Sequence, residues 1–254
     1  MTRWSGNTSA AERRVTERML PFQKPASNRF RSTAWVVMPA YREAAVIGAT
    51  VQALAPYFDN MLVVDDCSPD ETAQAARDAG AMVCRHPVNL GQGASIQTGI
   101  ELALARGAEQ IVTFDADGQH RPEDAVRMLE TLDAQKVDIV LGSRFIGLAE
   151  GISRRRRWLL KLAVAYTRLT TGLTLTDTHN GLRVMTASAA RSLRIRHNRM
   201  AHASELLGQI AQKKLRYVEA PCTIVYTDYS RAKGQRMSGA FAILWDLAIG
   251  KLYR

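Results

Sequence analysis

The sequence has few cysteines and no long apolar run. Its 254 residues include 3 cysteines, Cys67, Cys84 and Cys222, which lie far apart and show neither a CxxC pair nor zinc-like spacing. A disulfide framework is therefore not expected, and reduced cysteines fit a cytosolic protein. No apolar stretch reaches the roughly 18 residues typical of a membrane-spanning helix. Residues 1–31 also lack the apolar core of a signal peptide, so we expect a chain that neither spans a membrane nor is secreted.

Acidic and basic residues are divided unevenly along the chain. Residues 34–150 contain 8 basic and 17 acidic side chains, whereas residues 151–200 contain 11 basic side chains and 1 acidic side chain. A uniformly basic nucleic-acid-binding protein would not show this division, but a cation-holding half followed by an anion-binding half would. For the basic run Arg154 to Arg157, a solvated helix face remains the alternative.

Apolar runs alternate with helical patterns through the first half of the chain. We predict buried strands at residues 34–38, 61–64, 81–84, 110–114 and 138–141, and helices at residues 44–54, 93–105 and 201–213. With 46% hydrophobic residues, the chain fits one α/β domain that has a mainly parallel central sheet and helices on both faces. Residues 1–33 are predicted to be a basic, disordered tail, residues 34–235 the folded domain, and residues 236–254 an amphipathic helix.

Two aspartates follow the predicted strand at residues 110–114. Side chains one residue apart in an extended segment point the same way, so Asp115 and Asp117 can lie on one side of the strand end. Carboxylate and amide oxygens are the ligands that Mg²⁺ and Mn²⁺ prefer, and a diphosphate is a natural partner of such an ion. Solvated turn chemistry is the alternative. Residues 38–41 and the Asp65-Asp66 pair also follow strands, and the carboxyl ends of parallel strands are where ligands bind.

A dinucleotide-binding glycine motif is not supported. The pair Gly91 and Gly93 precedes a predicted helix, but Ile96 stands where the third glycine of GxGxxG would be. The pair also does not follow the first strand of the domain. These glycines instead permit close approach of the backbone to a ligand or form a tight turn.

Ordered motifs carry a resemblance to a known family. They are PAYRE at 39–43, VVDDCSPD at 63–70, NLGQG at 89–93, DADGQH at 115–120 and GSRF at 142–145. In this order the chain resembles family 2 glycosyltransferases, in the branch that contains dolichyl-phosphate mannose synthase and polyprenyl-phosphate glycosyltransferases. The resemblance implies a GT-A type nucleotide-sugar-binding fold and metal-dependent, inverting sugar transfer.

The resemblance also implies a donor site for a sugar carried on UDP, GDP or dTDP. Its nucleotide-sugar-binding residues would be Pro39, Ala40, Tyr41, Glu43, Asp65, Gly93, Asp115 and Ala116. Asp115, Asp117 and Gln119 would hold Mg²⁺ or Mn²⁺, which stabilises the departing nucleotide. Gln92 stands where many relatives carry lysine, which removes a cation from the donor side.

The implied acceptor is a polyprenyl phosphate, reached at the inner face of the cell membrane. The candidate phosphate-binding residues are Arg144, Arg156, Arg157, Arg231 and Lys233. Arginine suits phosphate because its guanidinium is a planar fork of donors, but a surface ion pair is the alternative for Arg144. The basic and apolar sequence around residues 154–162 fits peripheral membrane contact. A separate membrane protein is a further expected partner, and nucleic acid is not.

Glu205 distinguishes two mechanisms. With Asp117 and Arg144 it completes the candidate catalytic set, because relatives that use hydroxyl acceptors place a general base at this position. In that alternative the enzyme extends a glycan or a lipid-linked sugar. A phosphate acceptor is already an anion and hardly needs a base, so Glu205 could equally be a helix acid paired with Lys213 or nearby backbone. The non-enzyme alternative is a basic scaffold or nucleic-acid-binding protein on an inactive transferase-like core.

Overall fold

A computed structural model of the protein describes residues 29–150, 154–178, 180–198 and 201–226. The strands are β1 (Ala34–Ala40), β2 (Asn60–Asp65), β3 (Met82–Arg85), β4 (Gln110–Thr113), β5 (Ile139–Glu150), β6 (Arg183–Thr186) and β7 (Tyr217–Val225). The helices are α1 (Ile47–Leu54), α2 (Thr72–Asp78), α3 (Gln92–Ala105), α4 (Pro122–Gln135), α5 (Arg154–Thr171), α6 (Ala187–Ser192) and α7 (His202–Gln212). The predicted C-terminal helix and most of the predicted tail lie outside the described residues.

The described strands form one sheet in the order β3-β2-β1-β4-β6-β5-β7. β1 runs parallel to β2 and β4, β2 runs parallel to β3, and β5 runs parallel to β7. β6 lies between β4 and β5 and is antiparallel to both. The mainly parallel α/β fold is thus confirmed, with one reversed strand near the centre that the sequence pattern did not indicate.

Both faces of the sheet are buried under helices. In β1, Val36 and Met38 pack into one apolar cluster, whereas Trp35 and Val37 pack into the other, as expected for a strand with side chains on alternating faces. Helices α1, α2 and α4 contribute to the first cluster, and α3, α6 and α7 contribute to the second. Each fully buried aliphatic side chain contributes about 1.5–3 kcal/mol, so both helical layers hold the sheet in place.

The boundaries of two predicted strands differ from the structure. β1 was expected to end before Pro39 but continues to Ala40, with Pro39 paired to Val64 of β2. The pairing of β1 with β4 already ends at Val37, so the missing N–H of Pro39 breaks no ladder bond on that side. β5 extends beyond residue 141 to Glu150, with an irregularity in its pairing with β7 between Ser143 and Leu148.

Candidate active site

A cavity of about 430 Å³ opens at the carboxyl ends of β1, β2 and β4. The first-strand loop and the acidic stretch contribute predicted residues to its lining, namely Pro39, Ala40, Tyr41, Glu43, Asp115, Ala116, Asp117 and Gln119. Arg144 also lines it, together with residues outside the predicted set, namely Asp66, Gln92, Ser95, His120, Asn180, Gly181, Arg183, His202, Ala203 and Ile224. The cavity therefore lies where ligands bind in open parallel sheets.

The two aspartates after β4 are each held by neighbours in the same short turn. Oδ2 of Asp115 lies 3.0 Å from Nε2 of His120. The side-chain amide of Gln119 donates to Oδ2 of Asp117 at 2.7 Å, and its backbone N–H donates to Oδ1 at 3.1 Å. Gln92 donates a long bond of 3.4 Å to Oδ1 of Asp115. These contacts fix both carboxylates at the cavity wall.

Burial and like charge separate the acidities of these two aspartates. Burial, then the negative charge of Asp115, raises the pKa of Asp117 to about 6. Burial also acts to raise the pKa of Asp115, but the bond to His120 and the charges of His120, Arg183 and His202 lower it overall. A divalent cation would relieve the repulsion between the two carboxylates and favour the ionised form of both.

Asp115, Asp117 and Gln119 fit a hard cation that keeps part of its shell for other ligands. Within residues 29–150, 154–178, 180–198 and 201–226, no group of three or more His, Cys, Asp or Glu side chains is arranged to hold a metal. Two carboxylates and one amide oxygen are instead a partial set of oxygen ligands. Mg²⁺ typically accepts such a set and completes it with water and substrate phosphates.

Gly181 makes room for the carboxylate of Asp115. A Cβ atom added at Gly181 would lie 2.0 Å from Oδ2 of Asp115. The hydroxyl of Thr113, at the end of β4, donates to the carbonyl oxygen of Gly181 at 2.7 Å and holds the loop in this position. A glycine is therefore required at position 181 because the loop before β6 approaches the acidic site so closely.

The two adjacent acids at the carboxyl end of β2 have different positions. Asp66 lines the cavity, and it accepts hydrogen bonds from the backbone N–H groups of Leu90 at 2.9 Å and Gly91 at 2.6 Å. Asp65, predicted to bind the nucleotide sugar, is fully buried and accepts from the backbone N–H of Ser68 at 3.2 Å. Nε of Arg85 lies 3.1 Å from Oδ2 of Asp65 without hydrogen-bond geometry. Asp65 is not among the residues that line the cavity.

Gly93 is surrounded by protein and does not line the cavity. Its N–H donates to the carbonyl oxygen of Asn198 at 2.8 Å, and an added Cβ would lie 2.1 Å from the carbonyl oxygen of His197. The small residue thus lets the first turn of α3 pack against the loop before α7. This geometry explains the glycine by packing, whereas the sequence resemblance implied donor binding.

Arg144 forms a buried ion pair at the cavity wall. Its Nε donates to Oδ2 of Asp177 at 2.6 Å, and Nη1 donates to the hydroxyl of Tyr226 at 2.8 Å. Burial acts to lower the pKa of Arg144, but the charge of Asp177 and the contact with Tyr226 raise it overall. The alternative of a surface ion pair is therefore wrong, since Arg144 is 5% exposed and Asp177 is 3% exposed.

Glu205 supports a loop and is not brought to the cavity. Its carboxylate accepts from the backbone N–H of Arg196 at 2.9 and 3.0 Å and from that of His197 at 2.9 Å. Of the two interpretations of Glu205, this arrangement matches the acid paired with nearby backbone. The predicted partner Lys213 is replaced by main-chain donors, and the carboxylate is not placed to act as a base in the cavity.

The remaining predicted phosphate-binding residues lie elsewhere. Arg156 and Arg157 are in the first turn of α5, and Arg157 is exposed and does not line the cavity. Arg231 and Lys233 lie outside the described residues. Among the helices that the structure describes, none is both long enough and apolar enough to cross a membrane.

Several cavity residues were missed by reasoning from the sequence. Asp66 belongs to the motif VVDDCSPD, but the motif does not show which of its two adjacent acids faces the cavity. Arg183 lies outside the five motifs, and the pairing of β6 with β4 brings it to the cavity. His120 adjoins the acidic pair and is buried, with a Nδ1 atom that has no hydrogen-bond partner in the described part of the chain. His202 had no sequence signal, because it reaches the site only through the packing of α7 against α3.

Comparisons with known proteins agree with this geometry. Residues 35–194 match the family described as Glycosyl transferase family 2. The chain is 30% identical over 240 residues to the UDP-N-acetylglucosamine–dolichyl-phosphate N-acetylglucosaminyltransferase of Methanococcus voltae, covering 86% of this chain and 96% of that protein. It is 31% identical over 215 residues to the undecaprenyl-phosphate mannosyltransferase of Micrococcus luteus, covering 80% and 86%.

A solved structure shares the fold. Glucosyl-3-phosphoglycerate synthase from Mycobacterium tuberculosis, in complex with Mg²⁺ and uridine-diphosphate, matches with a TM-score of 0.64 and 20% identity. The match covers 95% of this chain and 84% of that chain. The predicted GT-A type fold is confirmed by this likeness. The family match and the two relatives show that the chain belongs to glycosyl transferase family 2 and is a glycosyltransferase.

Proposed function

We propose that the protein is a metal-dependent, inverting glycosyltransferase that moves a sugar from a nucleotide diphosphate to a polyprenyl phosphate. The observation that carries this proposal is one cavity with an acidic cluster and buried arginines in its wall. Asp115, Asp117 and Gln119 form the acidic side, and Arg144 and Arg183 are the arginines. The names of the relatives from Methanococcus voltae and Micrococcus luteus, which include dolichyl-phosphate and undecaprenyl-phosphate, support a lipid-phosphate acceptor.

On the donor side, the acidic cluster would hold Mg²⁺ or Mn²⁺. When bound, the cation supplies Lewis-acid stabilisation of the charge that develops on the departing nucleoside diphosphate. Tyr41 and Glu43 line the same cavity, with Glu43 suited to accept hydrogen bonds from ribose hydroxyls. The Methanococcus voltae relative is named for a UDP sugar, which favours UDP over GDP and dTDP as the first donor to test.

On the acceptor side, the nucleophile would be a phosphate oxygen that is already negatively charged. Such a nucleophile needs positive charge for binding and little help from a general base. The engagement of Glu205 with backbone N–H groups agrees with this mechanism and gives no support to the hydroxyl-acceptor alternative. The roles predicted for Arg156, Arg157, Arg231 and Lys233 stay predictions.

Peripheral contact with the cytoplasmic face of the membrane is part of the proposal. Helix α5 exposes Trp158, Leu162 and Leu169, and Arg157 and Lys161 are also exposed on it. Residues at these spacings share one side of a helix, which gives an apolar stripe with basic neighbours. Such a surface fits the interface of an anionic lipid bilayer. A separate membrane protein as an additional anchor stays a prediction.

A transfer assay tests the proposal. The purified full chain is incubated with polyprenyl phosphate and a panel of UDP, GDP and dTDP sugars, with Mn²⁺ or with a chelator. We expect one donor to yield a polyprenyl-phosphate sugar, the chelator and Asp117→Asn to abolish this product, and Glu205→Gln to retain it. Metal-independent transfer would overturn the metal assignment. Transfer only to a hydroxyl acceptor, lost in Glu205→Gln, would establish the alternative mechanism.

A further inference from the structure

Arg183 is a buried arginine whose side chain lines the cavity. It is the first residue of β6, and its backbone is fixed from both sides, paired with Thr113 of β4 and Leu141 of β5. The residue is only 5% exposed. Within the described part of the chain its guanidinium has no hydrogen bond and no ion pair. A group with five N–H donors and a full charge therefore has no bonded partner in the described part of the chain. Its nitrogens are not among the fully buried polar atoms that lack a hydrogen bond, so they open to the cavity.

Two acids, Asp115 and Asp177, act on this charge without bonding to it, and each bonds to other residues. Asp115 is bonded to His120 and Gln92, and Asp177 is bonded to Arg144. Burial lowers the pKa of Arg183, and the charges of Asp115 and Asp177 raise it without reversing that effect. A guanidinium remains protonated in proteins, so the result is a persistent, poorly compensated positive charge.

The other buried arginine in the cavity wall shows the contrast. Arg144 has a carboxylate partner at 2.6 Å and a hydroxyl partner at 2.8 Å, as buried charges normally require. Arg183 has the same burial and the same cavity but no such partner. An arginine that has no bonded protein partner and faces a ligand cavity is explained if a ligand supplies the anion.

We infer that Arg183 binds the diphosphate of the donor nucleotide sugar beside the acidic cluster. The donor side is favoured because Gly181, two residues before Arg183, lies directly against the carboxylate of Asp115. Gln92, the polar neighbour of Asp115, carries no charge, so Arg183 would supply positive charge there in addition to the cation. The inference rests on the proposed function and specifies which residue of this chain neutralises the leaving group.

Direct binding and stability measurements test the inference without relying on transfer. Arg183→Met keeps an unbranched chain close to the aliphatic part of arginine and removes the guanidinium and its charge, and Arg216→Met is a matched control. Arg216, before β7, forms an exposed ion pair with Asp138, before β5. Both residues lie at the amino ends of their strands, away from the cavity at the carboxyl ends. Binding of the nucleoside diphosphate with Mn²⁺ is followed by titration calorimetry. We expect Arg183→Met to weaken this binding by about tenfold to hundredfold, Arg183→Lys to weaken it less, and Arg216→Met to leave it unchanged.

Thermal unfolding of the ligand-free protein separates a binding role from a structural one. Removal of an unpaired buried charge should leave the melting temperature of Arg183→Met equal to or above that of the wild type. Arg144→Met, which breaks a buried ion pair, should lower it. A fall in melting temperature for Arg183→Met as large as that for Arg144→Met would overturn the inference, because it would reveal a structural partner.

The same variants distinguish whether Arg183 binds the donor diphosphate or the phosphate of the acceptor. Unchanged nucleoside-diphosphate binding in Arg183→Met, with a raised KM for polyprenyl phosphate, would overturn the donor assignment in favour of the acceptor phosphate. Unchanged values for both ligands would overturn any phosphate-binding role. If the wild-type protein transfers no sugar, the proposed function fails, while weakened diphosphate binding in Arg183→Met would still support the anion site.

Discussion

A methyl group added at Gly181 should disable the metal site without changing any polar residue. The new Cβ of Gly181→Ala would lie 2.0 Å from Oδ2 and 2.4 Å from Cγ of Asp115, whereas real Cβ contacts below 3.0 Å are essentially never seen. The carboxylate must therefore move by about 1 Å. Because the loop is tied to β4 by the bond from Thr113, we expect the side chain of Asp115 to rotate and the backbone to stay.

The size of the effect follows from the geometry. A displacement of about 1 Å in a reacting or ligand-holding group reduces catalysis by roughly 100-fold. The rotation would also break the bond between Asp115 and His120, for which hydrogen bonds to charged groups indicate about 1.5–3 kcal/mol at most. We thus expect transfer to fall by about two orders of magnitude. The free energy of unfolding should fall by no more than about 1.5–3 kcal/mol, so the protein should stay folded.

Three measurements on Gly181→Ala test this reasoning. Transfer activity and Mn²⁺ affinity should both fall, and urea unfolding should show a folded, cooperative protein. Gly208→Ala is the matched control, because Gly208 lies inside α7 with nothing within 4 Å of an added Cβ. It should keep full activity and gain about 0.5–1 kcal/mol. Wild-type Mn²⁺ affinity and transfer in Gly181→Ala would refute the proposed contact between Gly181 and the metal site.

Further predictions concern acidity, thiol reactivity and the buried ion pair. Because the pKa of Asp117 is raised to about 6, protons compete with Mn²⁺ below that pH, so the apparent affinity measured by titration should fall by up to about tenfold per pH unit. An affinity independent of pH in this range would contradict the assignment. Burial raises the pKa of Cys222 to about 12, so a thiol reagent should modify it only after unfolding, whereas Cys67 should react in the native protein. Asp177→Ala leaves Arg144 buried without its carboxylate and should reduce the free energy of unfolding in urea by about 3–5 kcal/mol. A loss below about 1 kcal/mol would show that water satisfies Arg144.

The sequence predicted the parallel part of the sheet because its strands are apolar on both faces. Runs such as Met61 to Val64 are buried throughout, with alternate residues in the two apolar clusters. β6 could not be predicted in this way. It is a strand of only 4 residues, and its position and reversed direction are set by pairing with β4 and β5, which are distant in sequence. Local periodicity contains no information on such pairing.

Prediction of the site succeeded where residues of one turn act together. Asp115 and Asp117 lie within one turn, so the sequence alone brings them to one cavity. It failed where neighbouring residues face different surroundings, as with Asp65, which is buried away from the cavity, and Asp66, which lines it. It left two interpretations of Glu205 open, because the backbone N–H groups that hold its carboxylate belong to a loop whose path is visible only in the structure.

The register of β6 is what joins the acidic first half of the chain to the basic second half. Thr113 pairs with Arg183, so the arginine lies across from the strand end that leads into Asp115. A slip by one residue would turn Arg183 to the other face of the sheet and would move Gly181 away from the Asp115 carboxylate. The antiparallel pairing of β4 with β6 therefore places Arg183 and Gly181 beside the acid pair. The division of charge seen along the sequence thus brings Arg183, from the basic half, into the same cavity wall as the acid pair.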